Sequence, residues 1–374
     1  MRIAFVSPFF PLKGGIARFS TILRDKLLEK GHAIDAFSFS RLYPRIVLRD
    51  KSPYEPGMRS CEGIAAVLDM LNPVTWISVA LQIRRLGSDV ILCPFWQGLY
   101  APIFVLIRVF SGKKMIVLMH NFSSHERFAG EKLLRDLLIA SADGVVTLSR
   151  HVAGKVKRSY PNVPLRSLFH PVYDRESDMP SQAEARRILG FRDDGRILLF
   201  FGYVRAYKGL DILVEAMPEI LRRSSGTRLL VAGEFHHGEK TIRERIERLG
   251  ISAQVTIESG FVPGDRIPVF FSAADVVVLP YREASQSGVV QQAYGFGRPV
   301  VVSDRGGLPE YVREGETGAI VRSLEPSDFA KGVCDFLDSM DTIPCETMVA
   351  RQAETLSWDV FAMKLEAFIR EVAD

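Results

Sequence analysis

The sequence predicts an α/β protein with two domains in series, each built around a parallel sheet. Short apolar runs alternate with longer amphipathic segments along the chain, which is the pattern of strands and helices in parallel sheets. The 374 residues suffice for two domains with separate cores. Four prolines between Pro161 and Pro180 interrupt any helix there and predict a domain boundary at about residue 172.

Apolar runs predict five strands in each half of the chain. In the first half they cover residues 3–6, 33–39, 90–93, 115–119 and 145–148. In the second half they cover residues 197–201, 229–232, 255–257, 276–279 and 300–303. A helical pattern at 17–30 ends at Gly31, and the segment 41–59, with three prolines and scattered charges, is predicted to be a loop.

The composition is that of a globular protein, with 47% hydrophobic and 25% charged residues. The four cysteines form no C-x-x-C pair, which favours reduced thiols in a cytoplasmic protein. The apolar run at 3–6 is too short for a signal peptide, and no stretch approaches the ~20 apolar residues of a membrane span. We therefore expect a cytoplasmic protein that is at most peripheral at the inner face of the membrane.

The net charge of +4 conceals an asymmetry between the two halves. Residues 1–172 carry 24 basic and 12 acidic residues, whereas residues 173–374 carry 24 basic and 32 acidic residues. The basic half can face nucleic acid, anionic lipid or a phosphorylated acceptor. Because the sequence shows no aromatic-basic RNA motif, zinc motif or helix-turn-helix signature, nucleic acid is not predicted as a partner.

Four glycine-rich or cationic segments follow predicted strands, and two of them are at Gly14-Gly15 and at Arg205 to Lys208. Gly14 and Gly15 lie between a strand and a helix, where backbone N–H groups can approach a phosphate or sugar, although a plain tight turn is the alternative. The pattern is not G-x-G-x-x-G, so a nicotinamide cofactor is not predicted. Arg205 and Lys208 follow the strand at 197–201, where two cations can neutralise a departing diphosphate; alternatively, both are solvated surface charges.

Ser287 and Gly288 follow the strand at 276–279 and open a helix whose N-terminal amides can bind an anion. A second glycine-rich loop, which ends at Glu310, follows the next strand. Because these loops and the two cations would line one edge of one sheet, their convergence predicts a binding site.

The order of these motifs resembles that of the GT-B glycosyltransferases of family 4. The shared elements are F-G-x-x-R-x-x-K-G at 201–209, L-L-V-A-G-E at 229–234, the serine-glycine helix, G-R-P-V-V at 297–301 and G-G-L-P-E at 306–310. With Gly14-Gly15 and a closing helix at Trp358, the resemblance covers nearly the whole chain. It implies two Rossmann-like domains with a cleft between them: an acceptor domain at 1–172, a donor domain at 173–355, and a helix at 356–374 that packs back toward the first domain.

The same resemblance implies that a hexosyl group is transferred, with retention of configuration, from a nucleotide-diphosphate sugar to a glycan or lipid-linked acceptor in cell-surface polysaccharide synthesis. No cofactor and no metal ion are expected, which agrees with the lack of a D-x-D triplet. Arg205 and Lys208 would bind the diphosphate, and Ser287, Gly288 and Val289 would add backbone donors. Phe261 and Val262 would border the base, and Glu310 would lie near the ribose or phosphates. The remaining predicted donor-site residues are Gly14, Gly15, Glu234, Gln286 and Gln292.

The sequence departs from the family at a pair of glutamates eight residues apart. Alignment on Ala293 and Pro299 puts Ala284 at the first position and Gln292 at the second. Gln292 can still form a hydrogen bond with a ribose hydroxyl. Ala284 cannot contact the sugar as a carboxylate would, so Glu283 or Gln286 would have to make that contact. The donor sugar and its base, uracil or guanine, stay open. A non-catalytic sugar-nucleotide-binding scaffold is the alternative function, and a related epimerase or hydrolase comes third.

His120 follows the strand at 115–119, so it would face the cleft and contact the donor sugar or position the acceptor as a catalytic residue. The alternative is a structural histidine that ties two loops together.

The apolar run at 101–107 precedes Lys113 and Lys114, and the segment 76–85 ends in Arg84-Arg85. Apolar patches beside basic residues predict contact with an anionic membrane surface. The alternative is that both segments are core helices with solvated basic ends.

Overall fold

The computed structural model describes residues 1–44, 52–55, 62–123, 128–173, 179–191 and 195–373, and the chain divides into two compact units. The first unit is Met1–Phe169 with Trp358–Asp374, and the second is His170–Ser357. The sequence placed the boundaries at 172 and 355, and the structure divides the chain at 169 and 357 instead. Much of the loop predicted at 41–59 lies outside the described residues.

The described part of the first unit contains a parallel sheet of seven strands in the order β3-β2-β1-β4-β5-β6-β7. The strands are β1 Arg2–Val6, β2 Ala33–Arg41, β3 Ile64–Asp69, β4 Val90–Phe95, β5 Lys114–Met119, β6 Gly144–Thr147 and β7 Leu165–Ser167. The helices between them are α1 Gly15–Glu29, α2 Pro73–Leu86, α3 Ala101–Ser111, α4 Glu131–Ser141 and α5 Arg150–Ser159.

The described part of the second unit contains a parallel sheet of six strands in the order β10-β9-β8-β11-β12-β13. The strands are β8 Ile197–Phe201, β9 Arg228–Gly233, β10 Val255–Ser259, β11 Val276–Leu279, β12 Val300–Ser303 and β13 Gly318–Val321. The helices are α6 Gln182–Ile188, α7 Leu210–Arg223, α8 Glu239–Arg248, α9 Ile267–Ala273, α10 Gly288–Gly295, α11 Pro326–Met340 and α12 Cys345–Thr355.

The ten strands predicted from apolar runs are present, and the prediction of an α/β protein with parallel sheets is confirmed. Central strands such as β8 and β11 are buried along their whole length, because helices cover both faces of a parallel sheet. The sequence missed β3, β7 and β13, which all lie at sheet edges. An edge strand has a neighbour on one side alone, so its sequence needs fewer apolar residues and gives a weaker pattern.

The last helix, α13 Trp358–Ala373, belongs to the first unit. The buried Trp358 ring lies 4.9 Å from the Phe19 ring of α1, and Phe361 meets the same ring edge-on at 5.7 Å. A Cβ built on Gly144 of β6 would lie 2.9 Å from Val372, so the helix packs directly on the strand. The apolar stripe of α13 therefore completes the core of the first unit. Of the helices that the structure describes, none has the length and apolar character needed to cross a bilayer.

Candidate functional site

The strand order of the second unit reverses between β8 and β11. The chain runs outward from β8 to β9 and β10, and then returns to place β11 on the other side of β8. In open parallel sheets such a reversal leaves a crevice at the carboxyl ends of the two strands, where ligands bind. The loop after β8 carries Arg205 and Lys208, and the loop after β11 carries Gln286 and Ser287. The fold therefore brings these predicted residues to one crevice.

Lys208 is enclosed in this crevice, with 9% of the residue exposed. A Cβ built on Gly202, next to the end of β8, would lie 3.3 Å from the Lys208 Nζ and 3.7 Å from the Val289 Cγ2. The same Nζ lies 5.4 Å from the centre of the Tyr281 ring, a cation–π arrangement. The alternative in which Lys208 is a solvated surface charge is therefore wrong, whereas Arg205 is half-buried.

Burial and, to a smaller extent, the nearby charge of Arg205 together lower the pKa of Lys208 to about 8. Two cations held together in a crevice repel each other, and an anion that bound to both would offset this repulsion. A titratable group with so strongly shifted a pKa, in a crevice, is typical of a functional site.

The start of α10 forms another wall of the crevice. Ser287 is the N-cap of this helix, and its Oγ accepts a hydrogen bond from the Val289 N–H at 3.3 Å. The predicted helix start at Ser287-Gly288 is therefore confirmed. The first N–H groups of a helix lack partners within the helix and carry partial positive charge, so this terminus suits an anion.

Close backbone contacts hold the loops of this edge together. Gly209 has φ +69°, and a Cβ there would lie 2.0 Å from the Pro280 carbonyl oxygen at the end of β11. Gly306, after β12, has φ +60°, and its Cβ would lie 1.6 Å from the Ala284 carbonyl oxygen. Only glycine fits at both positions. The loops after β8, β11 and β12 are therefore packed on one another.

The other predicted residues of the second unit also follow strand ends or lie on α10. Glu234 follows β9, and its carbonyl accepts a hydrogen bond from the Val204 N–H at 2.9 Å. Phe261 and Val262 follow β10, Glu310 lies in the turn Pro309–Tyr311 after β12, and Gln292 lies in the second turn of α10. All five are half-buried. Because the strands are parallel, the four that follow strand ends lie at the same sheet edge as Arg205 and Lys208.

Near Ala284, the two residues that could replace the missing carboxylate, Glu283 and Gln286, differ in exposure and in hydrogen bonding. The Ala284 side chain is buried and its carbonyl accepts a hydrogen bond from the Gly307 N–H at 3.3 Å. Glu283 is exposed. The Gln286 Oε1 is buried and has no hydrogen-bond partner among the residues that the structure describes. Gln286 therefore offers a polar atom that a ligand can satisfy.

His170, which no sequence pattern indicated as a site residue, lies beside the first residue of α10. Its Nε2 lies 3.7 Å from the position of a Cβ on Gly288. Its backbone N–H donates to the Tyr311 hydroxyl at 3.1 Å, and its Nδ1 donates to the Pro171 carbonyl at 2.9 Å. Burial lowers the pKa of His170 to about 4, so the ring is neutral at pH 7. The prolines around His170 indicated a linker, and no local pattern points to α10.

Gly14, Gly15 and His120 belong to the first unit. Gly15 opens α1 directly after the β1 loop, and a Cβ on either glycine would meet no described atom within 4 Å. His120 follows β5 and is 2% exposed; its ring meets the Phe19 ring edge-on at 4.9 Å. Its backbone N–H donates to the Phe95 carbonyl at 2.9 Å, which joins the ends of β4 and β5. A catalytic role for His120 stays a prediction.

Within the described ranges, no three His, Cys, Asp or Glu side chains are grouped so that they could hold a metal ion.

The sequence profile of a family described as "Glycosyl transferases group 1" matches residues 195–339, which include Arg205, Lys208, Ser287 and Glu310. The D-inositol 3-phosphate glycosyltransferase of Thermobifida fusca is 31% identical over 386 residues, which cover 92% of this chain and 86% of that protein. Its counterpart in Streptomyces scabiei is 29% identical over 238 residues, 60% of this chain. That match spans about half of the Streptomyces protein, 53% of its length.

Solved structures show the same fold. Sucrose-phosphate synthase from Thermosynechococcus elongatus superposes with a TM-score of 0.77 at 19% identity and covers 99% of this chain and 98% of its own. Anabaena HepE in complex with UDP-glucose superposes with a TM-score of 0.76 at 16% identity and covers 99% of this chain and 100% of its own. The predicted GT-B fold of two Rossmann-like sheets is thereby confirmed. Because the Thermobifida relative matches over most of both sequences, the chain belongs to the group 1 glycosyl transferases.

Proposed function

We propose that the protein is a retaining glycosyltransferase that moves a hexosyl group from a nucleotide-diphosphate sugar to a glycan or lipid-linked acceptor. The observation that carries this proposal is the enclosed Lys208 ammonium, which lies beside Gly202, as does the Val289 side chain at the start of α10. This ammonium is also close enough to Arg205 for their charges to interact. Breaking the bond between sugar and diphosphate leaves negative charge on the diphosphate. Preorganised donors aimed at that charge are among the strongest contributions to catalysis.

Arg205, Lys208 and the first N–H groups of α10 would together stabilise the departing diphosphate. Since these groups are held by packed loops, they need little rearrangement when the charge develops. They supply the positive charge that a metal ion supplies in other transferases. We therefore propose that transfer is independent of metal ions and that no cofactor takes part.

For the rest of the donor, we propose that Phe261 and Val262 border the base and that Gln292 and Glu310 contact the ribose or phosphates. Gln286 would bond the sugar hydroxyls in place of the missing carboxylate at Ala284, because its Oε1 is buried and without a partner among the described residues. HepE, which has the same fold, was solved with UDP-glucose, so UDP-glucose is the first donor to test.

The acceptor would bind the first unit, whose sequence carries the basic surplus. As the alternative interpretation expected, α3 is largely buried, with Ile103, Phe104 and Ile107 in the core. The end of the helix is different, because Val109 is 63% exposed and Phe110 is 42% exposed. Apolar side chains are also exposed on its neighbours: Leu81 and Leu86 on α2, and Leu133 and Leu137 on α4.

Arg84 and Arg85 are exposed in the last turn of α2, close to the exposed Leu86. Lys114 does not contribute, because its Nζ donates to the Ala373 carbonyl of α13 at 3.0 Å. Exposed apolar side chains beside basic ones suit an anionic bilayer. We propose a peripheral contact with the cytoplasmic leaflet, at which a lipid-linked saccharide of cell-surface polysaccharide synthesis is the acceptor.

One observation favours a second function, a non-catalytic sugar-nucleotide-binding scaffold. Ala284 occupies a position at which the family often has a carboxylate, and its buried methyl group cannot bond a sugar. A scaffold would bind the nucleotide sugar and leave it intact.

Incubation with UDP-glucose and GDP-mannose in excess EDTA, with and without lipid-linked saccharides, tests the proposed function. We expect release of nucleoside diphosphate that requires the acceptor and persists in EDTA. Release without acceptor would indicate a hydrolase, and binding without release would indicate the scaffold. Loss of transfer in EDTA, restored by magnesium or manganese, would contradict metal independence.

Replacement of either cation tests the diphosphate site. Lys208→Ala and Arg205→Ala should each lower turnover by about 10²- to 10³-fold, because each removes a donor to the developing charge. Lys240→Ala, which removes an exposed lysine on α8, is the matched control and should leave turnover unchanged. Thermal melting would show that all three variants fold. Near-normal turnover in both site variants would contradict the proposed role.

The lowered pKa of Lys208 predicts a pH dependence of binding. The affinity for nucleoside diphosphate should be highest below pH 8. It should fall as the pH rises through about 8, because the Lys208 ammonium of the unliganded protein loses its proton there. Calorimetric titrations between about pH 7 and pH 9.5, a range that brackets the pKa of Lys208, would measure the decline in affinity. The Lys208→Arg variant stays charged over this pH range, so its affinity should not show this decline. Ionisation of the nucleotide base affects both proteins alike, so an equal decline in both would rule out Lys208 as its source.

Liposome co-sedimentation tests the membrane contact. Binding should require anionic lipid and should fade as salt approaches ~0.5 M, because screening shortens the range of the attraction. Phe110→Ala combined with Arg84→Ala should weaken binding, while Met363→Ala, at an exposed site on α13, should not. Equal recovery in the supernatant with neutral and anionic vesicles at low salt would leave a soluble acceptor.

A further inference from the structure

The side chain of Arg282 joins the two loops of the crevice in the second unit. Arg282 lies in the loop after β11, and its guanidinium donates to both carboxylate oxygens of Asp211, at 2.8 and 2.6 Å. Its Nη1 also donates to the Ala206 carbonyl at 2.8 Å, and its backbone N–H donates to the Tyr207 carbonyl at 2.7 Å. One residue therefore contacts the turn Ala206–Lys208 and the first turn of α7 that follows it.

This turn connects the two cations of the proposed diphosphate site. Arg205 precedes it and Lys208 ends it, so its position determines the separation of the two charges. The other partner of the contact, the loop after β11, continues to Ser287 and the start of α10. A bond between these loops therefore sets the position of the cations relative to the helix terminus.

Asp211 is held in its charged form. Partial burial opposes ionisation, but the hydrogen bonds and charge of Arg282, together with the charge of Arg245, keep the pKa of Asp211 below its ordinary value. Arg245 of α8 approaches Asp211 to 3.7 Å and bonds Glu215 of α7 at 3.2 Å. The planar guanidinium of Arg282 matches the carboxylate with two bonds, which fixes direction as well as distance.

An ion pair this exposed, with 40% and 34% of the two side chains accessible, contributes little to the free energy of unfolding. Its effect is on local geometry. We propose that Arg282 and Asp211 are positioning residues, which clamp the turn Ala206–Lys208 against the loop after β11 so that Arg205, Lys208 and the start of α10 converge on one diphosphate. This inference rests on the proposed role of the two cations.

A second ion pair on α7 provides a matched control. Arg222 donates to both carboxylate oxygens of Glu219 at 2.8 and 2.5 Å, with similar bidentate geometry. Both residues lie on one helix, one turn apart, so this pair joins no loops. Arg222→Ala therefore reports the loss of a bidentate surface pair without the loss of the clamp.

The experiment compares the affinity for UDP and GDP with the affinity for uridine and guanosine, by calorimetry and competition. In Arg282→Ala, diphosphate affinity should fall about tenfold or more, since small misplacements of binding groups have large effects, whereas nucleoside affinity should stay as in the unaltered protein. Melting temperature should match that of Arg222→Ala. Arg282→Lys should not restore diphosphate affinity, because an ammonium cannot make the two parallel bonds.

Asp211→Asn keeps the shape of the partner and guards against a variant that fails to fold. It should weaken diphosphate binding in the same sense as Arg282→Ala, and the double variant should be little worse than either one, as expected for residues that act as a pair.

Normal diphosphate affinity in Arg282→Ala would overturn the clamp and leave the proposed function intact. A parallel fall in nucleoside and diphosphate affinity would also overturn it, because that result indicates general loosening of the unit. Failure of the unaltered protein to bind UDP or GDP would overturn the proposed function, and the clamp with it.

Discussion

The parallel pairing of the strands in the second unit is the constraint on which the candidate site depends. It brings the carboxyl ends of β8 to β13 to one edge, and the reversal of order between β8 and β11 opens a crevice between neighbouring loops. The same topology places the N-terminus of α10 at that edge, since a crossover helix begins where its preceding strand ends. The loop that carries the cations and the N-terminus of α10 are thus neighbours because of the strand topology alone.

The structure stabilises an arrangement that is unfavourable for the unliganded protein. Enclosing the Lys208 ammonium removes it from water and holds it near the charge of Arg205, and both effects lower the pKa of Lys208. Packing elsewhere offsets this cost: Tyr281 covers the ammonium, and Gly209 allows the loop to pass within contact of Pro280. Such local destabilisation is characteristic of sites where a ligand of opposite charge completes the structure.

Both units are built on a parallel sheet, but they differ in the residues that follow the strand ends. In the second unit, the strand ends carry cations and amides, and the buried neutral histidine His170 lies beside the start of α10. In the first unit, the glycines at the start of α1 leave open space, while His120 is packed under Phe19. The first unit also depends on the last segment of the chain, because Trp358 closes its core against α1. Membership of the group 1 glycosyl transferases accounts for the shared fold; the features at each strand end determine what each unit can bind.

The sequence by itself determined the central strands, the helix start at Ser287 and the order of motifs that indicates the family, because these depend on local periodicity, capping and spacing. It did not determine the edge strands β3, β7 and β13, whose weak apolar patterns become strands only beside a partner. It also left open whether Lys208 is solvated or buried, since its burial depends on residues far along the chain, such as Tyr281. The contacts of His170 with α10 and of Arg282 with Asp211 join residues that no local pattern relates. Only the tertiary structure decides these, because hydrogen bonding and desolvation act through space, whereas the sequence pattern records only neighbours along the chain.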